Sequence, residues 1–523
     1  MPRSEQEHPK TYMPELHESI AQHYHERTKY DPETIATKSQ GLDWEKQPVP
    51  FKEYKIGTTY DLKPYLKSEP PEADDLDSLQ WRRLSQLLFC SYGLTAKVPT
   101  MMEEPIYLRS SPSAGGLYPA EVYLISRGTP LLPGGLYNYQ PQTHCLTNFW
   151  ESEVWQTLQA ACLWHPILDS TQIALVTTAV FYRSAWRYQD RAYRRICLDT
   201  GHLLGNIELA SALNDYRPHL IGGFIDEAVN QLLYLDQLQE GAIAVIPLAD
   251  LLDVKQNLPL GKTALPSATE IEYPRLQDGE LLGYCHRATQ ITANKIDRVD
   301  LKVLPPEVNR LDKYNFPFCL KVPTATTAID WETNLAGLER TILKRRSTRA
   351  YNGADLTFDE LKALLDFTYQ PQHYMHQGLD AAPDYFDLNL IETFIAVSGV
   401  MGLDEGCYYY APKAQELRQI RFKNFRRELH YLCLGQELGR DAGAVLFHTA
   451  DLKTAIAQYG DRVYRYLHMD AGHLGQRLNL AAINLNLGVS GIAGFFDNQV
   501  NEVLGIPPDE AVLYITTLGC PRS

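Results

Sequence analysis

Residues 190–202 read DRAYRRICLDTGH, and the chain returns to DRVYRYLHMDAGH at 461–473, with seven of thirteen positions identical. The separation of 271 positions recurs well beyond this block. Pro112 matches Pro383, Glu121 matches Glu392, Tyr137 and Tyr139 match Tyr408 and Tyr410, Pro141 matches Pro412, Gly223 matches Gly494 and Asn230 matches Asn501. One separation held over so long a span marks a duplicated unit, and this constrains the fold more than any local motif does. Two fused copies pack most naturally about a pseudo-twofold axis, as a homodimer does. The expected division is an N-terminal arm over 1–60, a first copy over 61–260, a linker over 261–334 and a second copy over 335–523.

Within a copy the pattern reads as α+β. Leu84, Leu87 and Leu88 recur at helical spacing and Gly93 ends that helix. The run from Ile173 to Phe181 reads as a buried strand, Asp190 to Ala212 as a long helix, Asp226 to Leu233 as a short helix and Ala242 to Ile246 as a closing strand. In the arm a helix is expected from Glu15 to Arg27, followed by Arg27-Thr28-Lys29, an anion-binding candidate. An arm of this length is expected to wrap a neighbouring domain or subunit.

With 64 acidic against 49 basic residues the formal charge is −15, and no basic stripe carries interleaved aromatics. Binding of nucleic acid through bulk electrostatics is therefore not expected. Nine cysteines are scattered and none forms a C-x-x-C pair, which fits free thiols in a reducing compartment; no metal-ligand spacing is present. The opening MPRSEQEHPK lacks the apolar core of a secretion signal, and no apolar run approaches a membrane span. The expectation is a soluble, cytoplasmic protein, a monomeric pseudo-dimer or a homodimer, with a peptide or small-molecule substrate and no membrane partner.

The two copies differ where chemistry would sit. The first carries RSSPSAGGLYPAEVYLI over Arg109–Ile125, in which Pro112, Ser113, Ala114 and Gly115 form a loop that lets backbone come close to a ligand and feeds a strand. On local grounds alone it is an ordinary Gly-rich turn. The second copy has Pro383-Asp384-Tyr385-Phe386-Asp387 in its place, without the small residues. Conversely, the second copy carries Lys344-Arg345-Arg346-Ser347-Thr348-Arg349-Ala350-Tyr351, expected ahead of its first helix, where the first has Asp74-Asp75-Leu76-Asp77. Guanidinium forks and hydroxyls suit a phosphate or another multi-oxygen anion, although a solvated basic patch has the same composition. Each copy thus keeps a different half of a grip.

RRSTRAY (345–351), SPSAGGLYPAE (111–121), YGDRVYRYLHMDAGH (459–473) and GIAGFFDNQVNEVLG (491–505) together resemble the nitroreductase-like flavoenzymes, specifically the SagB/ThcOx-type dehydrogenases. The resemblance implies a nitroreductase-like α+β fold, a four- or five-stranded antiparallel-type sheet with flanking helices, and FMN held between two copies. It implies Arg345, Arg346, Ser347 and Arg349 on the flavin phosphate and pyrimidine edge, facing Pro112, Ser113, Ala114 and Gly115, with Ala493 and Gly494 near flavin N5 and Arg522 as a further phosphate ligand. One FMN per chain is expected, because the mirror site would pair the Asp74–Asp77 region with the Asp384/Tyr385 loop. The implied activity is FMN-dependent oxidation of a thiazoline- or oxazoline-like ring or a related bond in a peptide or small molecule, with biosynthetic partner proteins; an NAD(P)H-dependent nitro- or quinone reductase and a non-catalytic peptide- or partner-binding scaffold are the alternatives. The family's Lys-Tyr pair falls on Arg187-Tyr188 and Gln458-Tyr459, which makes Tyr188 the first proton-transfer candidate, with Arg187 lowering its pKa and Tyr459 as its counterpart. Packing at the interface between copies is the other reading of both tyrosines. His202 and His473, and Arg191, Arg194, Arg462 and Arg465, read as structural hydrogen-bonding and salt-bridge residues.

Overall fold

The computed structural model describes residues 18–35, 41–67, 75–99, 105–253, 261–293, 312–316 and 318–522. The helix expected from Glu15 starts at Ile20, and residues 15–17, like Asp74, lie outside the described residues.

Apolar β-branched runs build the strands. Ile173–Val180 (IALVTTAV) and Ala444–Asp451 (AVLFHTAD) are apolar on successive residues because both faces of each are covered, and their interiors are buried throughout. The first sheet contains β1 (Thr58–Asp61), β2 (Ala120–Ser126), β3 (Gly135–Gln140), β4 (Cys145–Glu151), β5 (Ile173–Val180), β6 (Tyr216–Pro218) and β7 (Glu240–Asp250), in the order β1-β4-β3-β2-β5-β7-β6. The second contains β8 (Lys321–Pro323), β9 (Glu392–Val397), β10 (Gly406–Ala411), β11 (Glu416–Arg421), β12 (Ala444–Asp451), β13 (Gly488–Ile492) and β14 (Glu510–Gly519), in the equivalent order β8-β11-β10-β9-β12-β14-β13. Register repeats as well: Glu121 opposes Thr178, and Glu392 opposes Thr449. Each sheet is antiparallel but has seven strands rather than the four or five expected. The extra edge strands β1 and β8 come from segments preceding each copy and cover an edge that would otherwise present unpaired backbone groups.

The helices that position the site are α1 (Ile20–Arg27), α2 (Leu76–Tyr92), α3 (Phe181–Tyr188), α4 (Ala192–Ala212), α5 (Asp226–Leu232), α6 (Leu281–Ala288), α7 (Ala336–Lys344), α8 (Leu452–Tyr459), α9 (Val463–Asn484) and α10 (Asp497–Leu504). Every residue of α4 from Ala192 to Ser211, and of α9 from Val463 to Ala482, is buried. A helix buried all round must be packed on every face, and these two cross each other at the centre. The DxGH glycines make the approach possible: a Cβ on Gly201 would stand 2.1 Å from the Met469 carbonyl oxygen, and one on Gly472 would stand 2.3 Å from that of Leu198.

Reciprocal ion pairs lock the copies together. Asp497 of the second copy accepts from Arg191 (2.8 Å) and Arg194 (2.7 Å) of the first, and Asp226 of the first accepts from Arg462 (2.6 Å) and Arg465 (2.8 Å) of the second. All six side chains are buried, so the arginines read as structural ion-pair residues are indeed that.

The arm and the stretch between copies are themselves related. α1 and α6 lie 261 positions apart, ten fewer than the body of the repeat, and align His25 with His286 and Thr28 with Thr289. His25 meets the Tyr464 hydroxyl and His286 meets that of Tyr193, while Thr28 takes Arg194 Nε and Thr289 takes Arg465 Nε. The region read as a linker therefore carries the second copy's own arm. The ten-residue shift hides this from a search at one fixed separation.

Candidate active site

A cleft of about 850 Å³ opens at the boundary between the copies. This is within the range of roughly 300–1,000 Å³ typical of small-molecule and cofactor sites. Its wall brings together Pro112–Gly115, Arg187, Tyr188, Arg195, Asp199 and His202 from the first copy, Ser347, Arg349, Asn479, Ala493, Gly494 and Tyr514 from the second, and Arg27–Tyr30 from the arm.

The Pro112–Gly115 loop is held from below by α4. Asp199 accepts from Ser113 Oγ (2.5 Å) and from the Ala114 amide (3.1 Å), and Ser113 Oγ in turn accepts from the Tyr118 amide (2.9 Å). Burial raises the Asp199 carboxyl to about 7, with its two hydrogen bonds offsetting part of the shift. Gly115 has φ +65°, and a Cβ there would stand 2.8 Å from the Tyr188 hydroxyl oxygen. Glycine is thus required twice over, by conformation and by the tyrosine.

The arginine-rich segment follows α7 rather than standing ahead of the copy's first helix, and its members divide between two jobs. Arg345 is buried and donates through Nε to the Ser110 carbonyl (2.6 Å) and through Nη2 to the Arg109 carbonyl (3.0 Å). Arg346 donates to the carbonyls of Leu343 (3.3 Å), Arg345 (2.5 Å) and Thr95 (3.0 Å). Neither lines the cleft; carbonyls of the first copy at Arg109 and Ser110 engage Arg345 and that at Thr95 engages Arg346, which makes them clamps between copies rather than anion ligands. Burial, with the neighbouring Arg346 and Arg349 charges adding to it, pushes Arg345 down to about 10. Ser347 and Arg349 do line the cleft, and their side chains have no hydrogen-bond or ion-pair partner among the described residues. Arg522 is exposed and lies outside the cleft wall, with its amide bonded to the Ala350 carbonyl (3.0 Å).

Of the proton-transfer candidates, Tyr188 and Arg187 border the cleft and Tyr459 does not. Tyr459 donates to Asp387 Oδ2 (3.0 Å) on the other side of the pseudo-twofold axis. Burial raises the Tyr188 phenol, and the Arg195 and Arg187 charges recover only part of the shift, so Arg187 does not bring it below its ordinary value. The nearer cation is Arg195, 3.8 Å from the Tyr188 ring centroid, against 5.8 Å for Arg187. Arg195 Nη1 is buried with no protein partner. His202 bridges Tyr514 Oη (2.8 Å) and Gln476 Oε1 (2.9 Å), and burial lowers its pKa to about 3, so the imidazole is neutral and structural, as expected. A Cβ on Gly491 would stand 1.7 Å from Tyr514 Oη, so that strand lies flush against the hydroxyl.

The mirror location is filled. Gly222, the counterpart of Ala493, donates its amide to the Thr263 carbonyl (2.7 Å), and a Cβ on Gly223, the counterpart of Gly494, would stand 2.3 Å from Leu265 Cγ. Phe386 stacks on Tyr466 with centroids 4.6 Å apart, and the Tyr466 hydroxyl bonds to the Gly222 and Leu265 carbonyls, each at 3.0 Å. Asp384, the counterpart of Ser113, pairs with Arg217 (3.0 Å) and takes the Leu220 amide (2.9 Å), not the Asp74–Asp77 region; Asp75 instead caps α2 through the Ser78 amide (3.1 Å). At the cleft itself the amides of Ala493 and Gly494 have no partner among the described residues.

Sequence reasoning missed Asp199, Arg195 and Tyr30. Arg195 could have been found, because it faces Tyr466 inside the best-matching block, where one copy has a cation and the other a neutral ring.

No helix among the described residues is long and apolar enough to cross a membrane, and no cluster of metal-ligating side chains occurs among them. The nitroreductase family profile matches residues 63–249 and 342–520. A crystal structure described as a nitroreductase from Anabaena variabilis is 73% identical over 97% of this chain and 100% of its own, with a TM-score of 0.91. MJ1384 of Methanocaldococcus jannaschii, named as a nitroreductase, is 33% identical over 169 residues, which is 32% of this chain and 84% of that protein. The microcin B17-processing protein McbC of Escherichia coli is 27% identical over 158 residues, 28% of this chain and 56% of that protein. The same profile thus matches both halves that share one strand order, and the chain belongs to the nitroreductase family of flavin-dependent oxidoreductases.

Proposed function

We propose that this chain is an FMN-dependent oxidoreductase of the SagB/ThcOx type, which dehydrogenates a thiazoline- or oxazoline-like ring, or a related bond, in a peptide or small molecule, with one FMN per chain. The observation that carries the reading is the division of one cleft between unequal copies. Pro112–Gly115 come from the first, Ser347 and Arg349 from the second, and Thr263 and Leu265 fill the mirror position.

The residues present fit the cofactor. A buried guanidinium nitrogen of Arg195 without a partner, two open amides at Ala493 and Gly494, and the unengaged Ser347 and Arg349 are what an anionic, hydrogen-bonding ligand requires. Ser347 and Arg349 would hold the phosphate, and the Pro112–Gly115 loop would flank the ring system. Arg345 and Arg346 act indirectly by fixing the backbone ahead of that loop. Bound FMN supplies the hydride-accepting chemistry; the protein supplies position and electrostatics. Tyr188 keeps its proton at neutral pH because burial raises its pKa, so its hydroxyl serves as a donor that orients the substrate.

The similarity to McbC, a processing protein for microcin B17, supports a peptide-derived substrate and biosynthetic partner proteins. The similarity to an archaeal protein named as a nitroreductase supports the second reading, an NAD(P)H-dependent nitro- or quinone reductase. The test is the purified chain itself: it is expected to be yellow, to release FMN on denaturation at one per chain, and to lose that flavin on Arg349→Glu. A colourless protein that takes up no FMN would overturn the reading in favour of a binding scaffold. Anaerobic bleaching by NADH or NADPH would favour the reductase.

A further inference from the structure

Tyr30, on the arm after α1, enters the cleft from outside both copies. Its amide donates to Asp497 Oδ2 (2.9 Å) and its backbone forms a parallel bridge with Phe496, so the arm is fixed at this residue. The half-buried ring lies over the Arg191 guanidinium, 4.1 Å from its centroid, with the Arg195 guanidinium at 6.0 Å. Its Cε2 is 3.9 Å from where a Cβ on Gly494 would stand, beside one of the two open amides. In the mirror location Ile291 makes the bridge to Ile225 that Tyr30 makes to Phe496, and Tyr466 stands where the cleft has Arg195. The phenol and its cation are present together in the open cleft and are both replaced in the filled one.

We infer that Tyr30 is the proton-accepting residue of the cleft, held by Arg195 and Arg191 beside the Ala493–Gly494 turn, with Tyr188 as the complementary donor. The inference rests on the oxidoreductase reading above. In dehydrogenation of the ring, two bonds to hydrogen break and one double bond forms. One hydrogen leaves with its electron pair to the oxidised flavin; the other leaves as a proton to Tyr30 Oη, whose phenolate becomes a phenol. The electrostatics agree with the geometry. Burial alone would raise the Tyr30 phenol, but Arg195, Arg191 and Arg194 outweigh it and leave its pKa below the ordinary value, whereas that of Tyr188 is raised. Two titratable groups driven apart in one cleft is the pattern of an acid and base pair. The charges facing Tyr30 are Arg191, Arg194 and Arg195 from α4 and the turn before it, Asp497 from α10, and Arg27 and Lys29 on its own arm. Those last two are already paired with Asp278 and Glu26.

The test is a titration of the flavin-loaded full chain. Tyrosinate absorbance and the flavin band are followed against pH in the natural protein, in Tyr30→Phe and in Arg195→Leu. The natural protein is expected to ionise one tyrosine below the ordinary pKa of about 10, with a flavin band shift at the same pH; both signals vanish in Tyr30→Phe at unchanged flavin content. Arg195→Leu should weaken that ionisation by on the order of tenfold, the effect of losing a nearby opposite charge. No early-ionising tyrosine lost in Tyr30→Phe, or one that ionises without moving the flavin band, would overturn the assignment. A protein that holds no flavin ends the oxidoreductase reading on which the assignment rests, whereas a yellow protein with an ordinary Tyr30 ends the assignment alone.

Discussion

Asp199 shows how one buried side chain links loop geometry to pH. Its carboxylate carries Ser113 and Ala114, and burial raises its pKa to about 7. The folded protein therefore binds a proton that the unfolded chain has released above about pH 4. Stability from this group is complete below that pH and is lost as pH rises through about 7. Denaturation midpoints measured from pH 5 to 8 should fall in the natural protein relative to Asp199→Asn, by a few kcal/mol at most, at about 1.4 kcal/mol per pKa unit. Equal pH profiles would mean that the carboxylate is not held this way. At this scale the sequence was partly legible. Pro112–Gly115, Ser347, Arg349, Ala493, Gly494, Tyr188 and Arg187 all reach the cleft, because motif and loop chemistry are local. Arg345 and Arg346 were legible as arginines but not as clamps, because the first-copy carbonyls that engage them, at Arg109, Ser110 and Thr95, lie more than two hundred positions earlier. Tyr30 directly follows the Arg27-Thr28-Lys29 anion-binding candidate, which also reaches the cleft, but nothing local marked the tyrosine itself, and only the folded arm brings it near Arg195.

Elements add what single residues do not carry. α4 and α9, with the turns that precede them, present arginines to the acids at the start of α10 and α5, so each copy neutralises the other's buried charge. Removing one acid strands two guanidinium groups out of water. Asp226→Ala should therefore cost about 3–5 kcal/mol in a denaturant melt, with flavin content per folded chain unchanged, since Asp226 serves the filled location. Asp497→Ala should cost as much and also shed flavin, because Asp497 anchors Tyr30 and Arg191 at the cleft. A silent Asp226→Ala would show these pairs to be dispensable. The helices and strands themselves were readable from periodicity: the long helix expected over Asp190–Ala212 is Ala192–Ala212, and the strand expected over Ile173–Phe181 is Ile173–Val180. The edge strands and α6 were not, because short segments pair with distant partners and carry little pattern of their own.

For the molecule as a whole, the centre is the crossing of α4 and α9, where glycine backbones touch. Gly201→Ala forces the two helices apart and should destabilise by about 1–3 kcal/mol, the usual range for overpacking. Thermal unfolding should stay a single transition, because neither copy owns this core; two resolved transitions would contradict that. The repeat made the pseudo-dimer legible in the sequence, while the filling of the mirror location depended on Thr263, Leu265 and Phe386 meeting in space. In an assembly of two identical subunits, every substitution is written into both active centres, so a change that closes one closes the other. A single covalent chain lifts that restriction. The Thr263–Leu265 stretch can fill one location while its twin stays open, and the open cleft keeps two unlike walls that can change independently of each other.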